Sequence, residues 1–153
     1  MKIRRAQIND LKVIKELYWL LDGDAVYYQP EHFIRTQRPD DFILDSIKSE
    51  KADFLLVEED NRTIGFALLR DNQTAKISCL QEHRYLQVDD LVIAKEYRDQ
   101  GYGSKLLAAA KSWGQDRNLE FLRLSVFSKN EGGIRFYERH GLQERMIKME
   151  CEL

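Results

Sequence analysis

The sequence predicts a single α/β domain, a mixed sheet covered by helices, on three observations. Apolar residues at three- and four-residue spacing alternate along the chain with apolar runs of strand length. The element order is strand, helix, helix, three strands, helix, strand, helix, strand, which interleaves the two types instead of segregating them. Finally, 153 residues, 43% hydrophobic and 33% charged, suffice to close one apolar core. No linker, repeat or low-complexity tract divides them, so residues 1–153 are expected to form one domain.

Lys2 to Ala6 reads as a first strand, and Asn9 and Asp10 follow as helix-start residues. Leu11, Ile14, Leu17, Tyr18 and Leu21 then share one helical face, and Asp22-Gly23-Asp24 reads as its stop. Residues 22–40 carry both prolines, Pro30 and Pro39, and several aromatics, the composition of an irregular connection of the kind that borders active sites. Phe42, Ile43 and Ile47 fit a short second helix ending near Lys51. Asp53–Glu58 and Thr63–Arg70 are strand-length runs joined by Glu59-Asp60-Asn61-Arg62, a hairpin turn. A polar stretch, Asp71 to Ser78, precedes a strand over Tyr85–Ile93. A helix over about 101–116, a strand over Phe121–Phe127 and a helix over about 130–140 follow. Arg139, His140 and Gly141 suit that helix's C-terminus, where cations meet the negative dipole end and glycine takes the left-handed cap. Glu144–Glu152 alternates enough to be a closing strand.

Composition excludes several classes of function. Lys plus Arg number 24 against 26 Asp plus Glu, a formal charge of -2, so no global basic field exists to hold nucleic acid or an anionic membrane. The two cysteines, Cys79 and Cys151, lie far apart and form neither a disulfide framework nor a zinc knuckle. His32, His83 and His140 show no ligand spacing, so no metal is expected. Without an apolar leader or a membrane-length apolar run, the expectation is a cytoplasmic, soluble protein.

The central signal is the turn Arg98-Asp99-Gln100-Gly101-Tyr102-Gly103 between the strand ending at Ile93 and the helix after it. Two glycines let successive backbone N–H groups converge where the positive end of the helix dipole already favours an anion, as a pyrophosphate requires. Arg98 adds a formal positive charge. A dinucleotide fingerprint would need a third glycine where Leu106 stands, and a Walker A lysine is missing too. Standing alone, the glycines could equally punctuate an ordinary strand-to-helix turn.

Their surroundings resemble the GNAT N-acetyltransferase superfamily. The family's acyl-CoA loop has Arg or Gln, two free positions, Gly, one free position, then Gly or Ala, met here by Arg98 to Gly103. Asp90-Leu91-Val92-Ile93 is similar to the strand entering that loop, and Asn130 to Gly141 to the family's helix with Asn at its start, Phe-Tyr in its middle and Gly at its end. Gly133 departs from the family's usual alanine, at a cost to the helix of about 1 kcal/mol. The resemblance is strong over about 86–141 and extends to element order in the N-terminal half. It implies a GNAT-like fold, a largely antiparallel sheet flanked by helices, and acetyl-CoA as co-substrate. The acyl-CoA site it implies comprises Leu91, Val92, Ile93, Arg98, Asp99, Gln100, Gly101, Tyr102, Gly103, Ser104 and Asn130.

Acyl transfer from a thioester to an amine needs an uncharged amine, a donor to the developing oxyanion and a proton for the leaving thiolate. By similarity to the family, the strand through Leu91 splays from its neighbour and offers its N–H to the thioester carbonyl. Tyr137 occupies the place of the general acid, although a core aromatic is the alternative reading. Asp89 and Asp90 are candidates for the base, with a structural or amine-binding carboxylate as the alternative. Neighbours on one strand point to opposite faces, so at most one of the two is expected to face the cleft. Asp89, nine positions before Arg98 as the resemblance to polyamine-acetylating branches implies, is the expected base. Asn130 serves equally as a pantetheine partner or a helix cap. Trp19, Tyr27, Tyr28 and Phe33 line the acceptor pocket or the core. The expected function is acetyl transfer to a primary amine by direct attack in a ternary complex. The alternative is a non-catalytic acyl-CoA sensor. Relatives that pair through the sheet or C-terminal strand make a homodimer a further expectation.

Overall fold

A computed structural model describes residues 1–153. Four strands form an antiparallel meander, β1 (Lys2–Arg5), β2 (Ala52–Glu59), β3 (Arg62–Gln73) and β4 (Arg84–Ile93), and β5 (Leu122–Arg123) adds to β4 in parallel, giving the order β1-β2-β3-β4-β5. Helices α1 (Leu11–Tyr28) and α2 (Asp40–Lys48) lie before β2, α3 (Tyr102–Asp116) follows β4, and α4 (Glu131–Arg139) follows β5. Single 3-10 turns at Ile8–Asp10 and Lys95–Tyr97 lead into α1 and out of β4.

Strand alternation sorts the core into two layers. On one face Phe54, Leu56, Phe66, Leu68 and Val92 pack against Ile14, Leu17 and Tyr18 of α1 and Ile43 of α2. On the other, Leu55, Val57, Ala67, Leu69, Leu86 and Val88 meet Leu106, Ala110 and Trp113 of α3. The β2–β3 turn places Asp60 (φ 49°) and Asn61 (φ 60°) in the left-handed region that two-residue hairpins require.

Four expectations are corrected. Asp22-Gly23-Asp24 does not stop α1, which runs on to Tyr28. The two carboxylates are taken by Arg38 and Arg98 instead of competing for the helix backbone, and Gly23 leaves room for the Arg35 guanidinium, whose Nη2 would lie 2.0 Å from a Cβ there. Asp71, Asn72 and Gln73, read as connection, extend β3 by pairing with Leu86, Tyr85 and Arg84. The strand expected over 121–127 is reduced to Leu122–Arg123 because β4 offers partners only at Leu86 and Gln87. Glu144–Glu152 forms no strand: it has no backbone partner, and Met146 (87% exposed) and Met149 (91%) face solvent. No helix is long and apolar enough to cross a membrane.

Candidate active site

The shortness of β5 creates the site. Beyond Gln87, β4 continues to Ile93 with β3 on one side and no strand on the other. A bulge between Val88 and Asp90, whose β3 partners Leu69 and Leu68 are adjacent, leaves Asp89 as the extra residue and bends β4 where it parts from β5. After the bulge, Ala94 donates its N–H to Ile64 on the β3 side, so alternation turns the backbone of Leu91 and Ile93 to the open edge. Val92 instead pairs with Phe66 and buries its side chain under α1. Of the three strand residues expected at the acyl-CoA site, two therefore present their backbone to the open edge of β4.

At the mouth of this opening α3 begins. Gly101 is its N-cap at φ 88°, a conformation that asks for glycine, and a Cβ there would meet nothing within 4 Å. No acceptor within the chain takes the N–H groups of Gly101, Tyr102, Gly103 or Ser104, so four aligned donors stand at the positive end of the helix. This cradle fits an anionic phosphate group. Gly103 faces α4, where a Cβ would make ordinary contact with the Phe136 ring at 3.4 Å. The Tyr102 ring lies by Tyr97 and the apolar layer, so its backbone alone faces the cradle. Arg98 braces the turn: Nε donates to the Ile93 carbonyl at 2.9 Å and Nη2 to Asp24 of α1 at 3.2 Å. Asp99 (φ 59°) and Gln100, which donates to the Glu96 carbonyl at 2.9 Å, shape the same turn.

On α4, the Asn130 side chain caps the helix by accepting from Gly133 N–H at 2.9 Å. Glycine at 133 is what permits this, since a Cβ would lie 2.5 Å from the Asn130 amide nitrogen. Tyr137 is half-buried, and burial alone pushes its hydroxyl above the ordinary tyrosine value, with no charge or hydrogen bond acting on it. Such a phenol holds its proton at neutral pH.

The bulge overturns the expectation that Asp89 and Asp90 face opposite sides. Both engage the α1–α2 side of the sheet. Asp89 pairs with Arg70, which in turn donates to Ser46 of α2 at 3.1 Å. Asp90 accepts from the Tyr18 hydroxyl at 2.7 Å, and burial raises it above the usual carboxylate range against the pull of that bond. Tyr18, Arg38 and Arg70 escaped sequence reasoning because Tyr18 counted only as part of an apolar face. A phenol in an otherwise apolar stripe is itself the missed signal, since a buried hydroxyl needs a partner.

Of the four aromatics read as lining the acceptor pocket or the core, Tyr28 stacks on Phe127 and Phe33 meets the same ring edge-on, each at 5.4 Å. The α1–α2 connection thereby reaches the end of the β5 segment beside the opening. Trp19 instead carries the Arg35 guanidinium at 4.8 Å, and Tyr27 is 80% exposed. A concavity of about 520 Å³ lies elsewhere, between Lys12, Lys15, Trp19 and Gln37.

Known structures place this architecture. The fold is similar to that of a tetramutant of the BH1408 protein of Bacillus halodurans (TM-score 0.93, 22% identity, all of both chains). It is also similar to an aminoglycoside N-acetyltransferase in complex with CoA (TM-score 0.72, 15% identity, 99% of this chain and 100% of that one). The family model for the acetyltransferase (GNAT) family matches residues 14–142, and the chain belongs to that family. An uncharacterised N-acetyltransferase of Methanocaldococcus jannaschii is 24% identical over 147 residues, 95% of this chain; the chain spans 62% of that relative's length.

Proposed function

We propose that the protein transfers the acetyl group of acetyl-CoA to a primary amine by direct attack within a ternary complex. The observation that carries this reading is the open β4 edge set against a glycine-capped helix N-terminus. In this reading the N–H groups of Gly101 to Ser104 hold the pyrophosphate, and the Leu91 N–H polarises the thioester carbonyl. Asp90, with Asp89 beside it, accepts the ammonium proton through water, freeing the lone pair that attacks the carbonyl carbon. When the tetrahedral intermediate collapses and the C–S bond breaks, Tyr137 protonates the leaving thiolate, and the second proton lost by the acylated nitrogen returns the phenolate to phenol. Carboxylates and aromatic rings on the acceptor side favour a small cationic amine.

Thiol release from acetyl-CoA, followed across polyamines, aminoglycosides and peptide amines, tests the reading. Amine-dependent release with acetylated product supports it. Tight acetyl-CoA binding without turnover on any amine would make the protein an acyl-CoA sensor. Self-association belongs to the same proposal, supported by the exposed apolar side chains of the C-terminal segment. Light scattering should give twice the 18.1 kDa chain mass, and a mass of one chain would remove the dimer.

A further inference from the structure

Tyr18 has no role in the reaction as drawn, yet its placement is specific. It is fully buried in α1, with its ring against Phe66 (4.8 Å), Phe42 (6.1 Å) and Phe54 (6.2 Å). Its hydroxyl reaches out of this apolar layer to Oδ2 of Asp90. The second oxygen, Oδ1, accepts no hydrogen bond within the chain and is not sealed from solvent. One oxygen is thus fixed and the other left for exchange.

Behind this pair sits Arg38, from the α1–α2 connection. Its guanidinium lies 4.3 Å from the Tyr18 ring centroid and grips Asp22 of α1 with bonds of 2.8 and 2.7 Å. The charged and titratable groups facing Asp90 are therefore Tyr18 and Asp22 from α1, Arg38 from the connection and Asp89 from β4, with Arg70 of β3 acting through Asp89.

We propose that Tyr18 is a positioning residue for acetyl transfer, fixing Asp90 by Oδ2 so that Oδ1 receives the amine proton, while Arg38 ties this arrangement to the acceptor-side connection. The proposal rests on the reading that Asp90 accepts that proton. Its electrostatic consequence has a sign. The Tyr18 hydrogen bond and the Arg38 charge favour the carboxylate, while burial, Asp89 and Asp22 favour the acid. Removing Tyr18's hydroxyl or Arg38's charge raises Asp90 further, and removing the Asp22 charge lowers it.

The test is the acid limb of the pH profile of kcat/KM, paired with ¹³C NMR titration of the Asp90 carboxyl. Tyr18→Phe keeps the ring and should move both to higher pH by about one unit, a tenfold loss of rate on the acid side. Arg38→Gln should move them the same way, Arg38→Lys should restore the wild-type limb, and Asp22→Asn should move it to lower pH. A residue of purely structural importance would lower the melting temperature and leave the limb in place; that result in folded Tyr18→Phe and Arg38→Gln overturns the proposal. Should Tyr18→Phe not fold, the Arg38 and Asp22 variants decide by their opposite directions. Asp90→Asn separates the two levels of argument: an unchanged acid limb in that variant removes Asp90 as the proton acceptor, whereas its loss with an unmoved limb in Tyr18→Phe refutes the positioning role alone.

Discussion

Replacing Tyr137 by phenylalanine deletes one oxygen from a residue whose ring is otherwise retained between Phe136 and its surroundings on α4. No hydrogen bond holds that oxygen, and burial is the sole cause of its raised pKa, so its removal breaks no structural bond. Stability should be unchanged or slightly higher, because a half-buried hydroxyl without a partner carries a desolvation cost. Catalysis should suffer instead. A positioned general acid contributes about 100- to 10,000-fold, equivalent to about 3–5 kcal/mol of barrier. Stopped-flow thiol release gives kcat, isothermal titration gives acetyl-CoA affinity, and a melting curve gives stability. The expected pattern is a large loss of kcat with affinity and melting temperature intact. Because burial keeps this phenol protonated, wild-type activity should show no basic limb from Tyr137 below about pH 10. Full turnover in Tyr137→Phe would refute the assignment and leave Tyr137 as packing.

At Gly65, a Cβ would fall 2.5 Å from the Val92 carbonyl oxygen, which is backbone and cannot rotate away, and 2.6 Å from Ile93 Cδ1. Gly65→Ala should therefore displace β4, lowering stability by about 1–3 kcal/mol and weakening acetyl-CoA binding; an unchanged urea midpoint and affinity would contradict this. Gly133→Ala sets a helix-propensity gain of about 1 kcal/mol against the loss of the Asn130 cap, also about 1 kcal/mol. It should be nearly neutral in urea unfolding, and Asn130→Ala should cost less in that background than in the wild type; equal costs would show that the cap survives. Asp10 is buried and gripped by both ends of the Arg4 guanidinium at 2.8 and 2.9 Å, a hydrogen-bonded pairing that holds it below the ordinary aspartate value of 3.8. The stability it lends is present above that value and is lost as pH falls through the folded-state one. Asp10→Asn should thus cost about 2 kcal/mol at neutral pH and flatten the acid side of the stability profile; parallel profiles would contradict the pairing.

The fold was legible wherever local pattern and tertiary packing agree. The amphipathic face of α1, the β2–β3 hairpin and the glycine turn before α3 all follow from residue type and spacing. Helix α1 outran its apparent stop because Asp22 and Asp24 find arginines from distant parts of the chain, which no window of sequence displays. The divergence of β5 from β4 was implied by family resemblance, but its mechanism, a bulge at Asp89, is a register effect between strands. That same bulge brought both aspartates to the α1–α2 side, since alternation holds only in an unbulged strand. Val92 differs from Leu91 and Ile93 for the related reason that a strand edge exposes every second backbone. The C-terminal segment carries the alternation of a strand but has no edge within the chain to pair with.

The measurement that bears most directly on the account is a crystal structure with acetyl-CoA bound. The account predicts the pyrophosphate on the N–H groups of Gly101 to Ser104, the thioester carbonyl within hydrogen-bond reach of the Leu91 N–H, and the sulfur beside the Tyr137 hydroxyl. Acetyl-CoA lodged in the groove beside Lys12 and Trp19, or a thioester turned away from the open edge of β4, would contradict it.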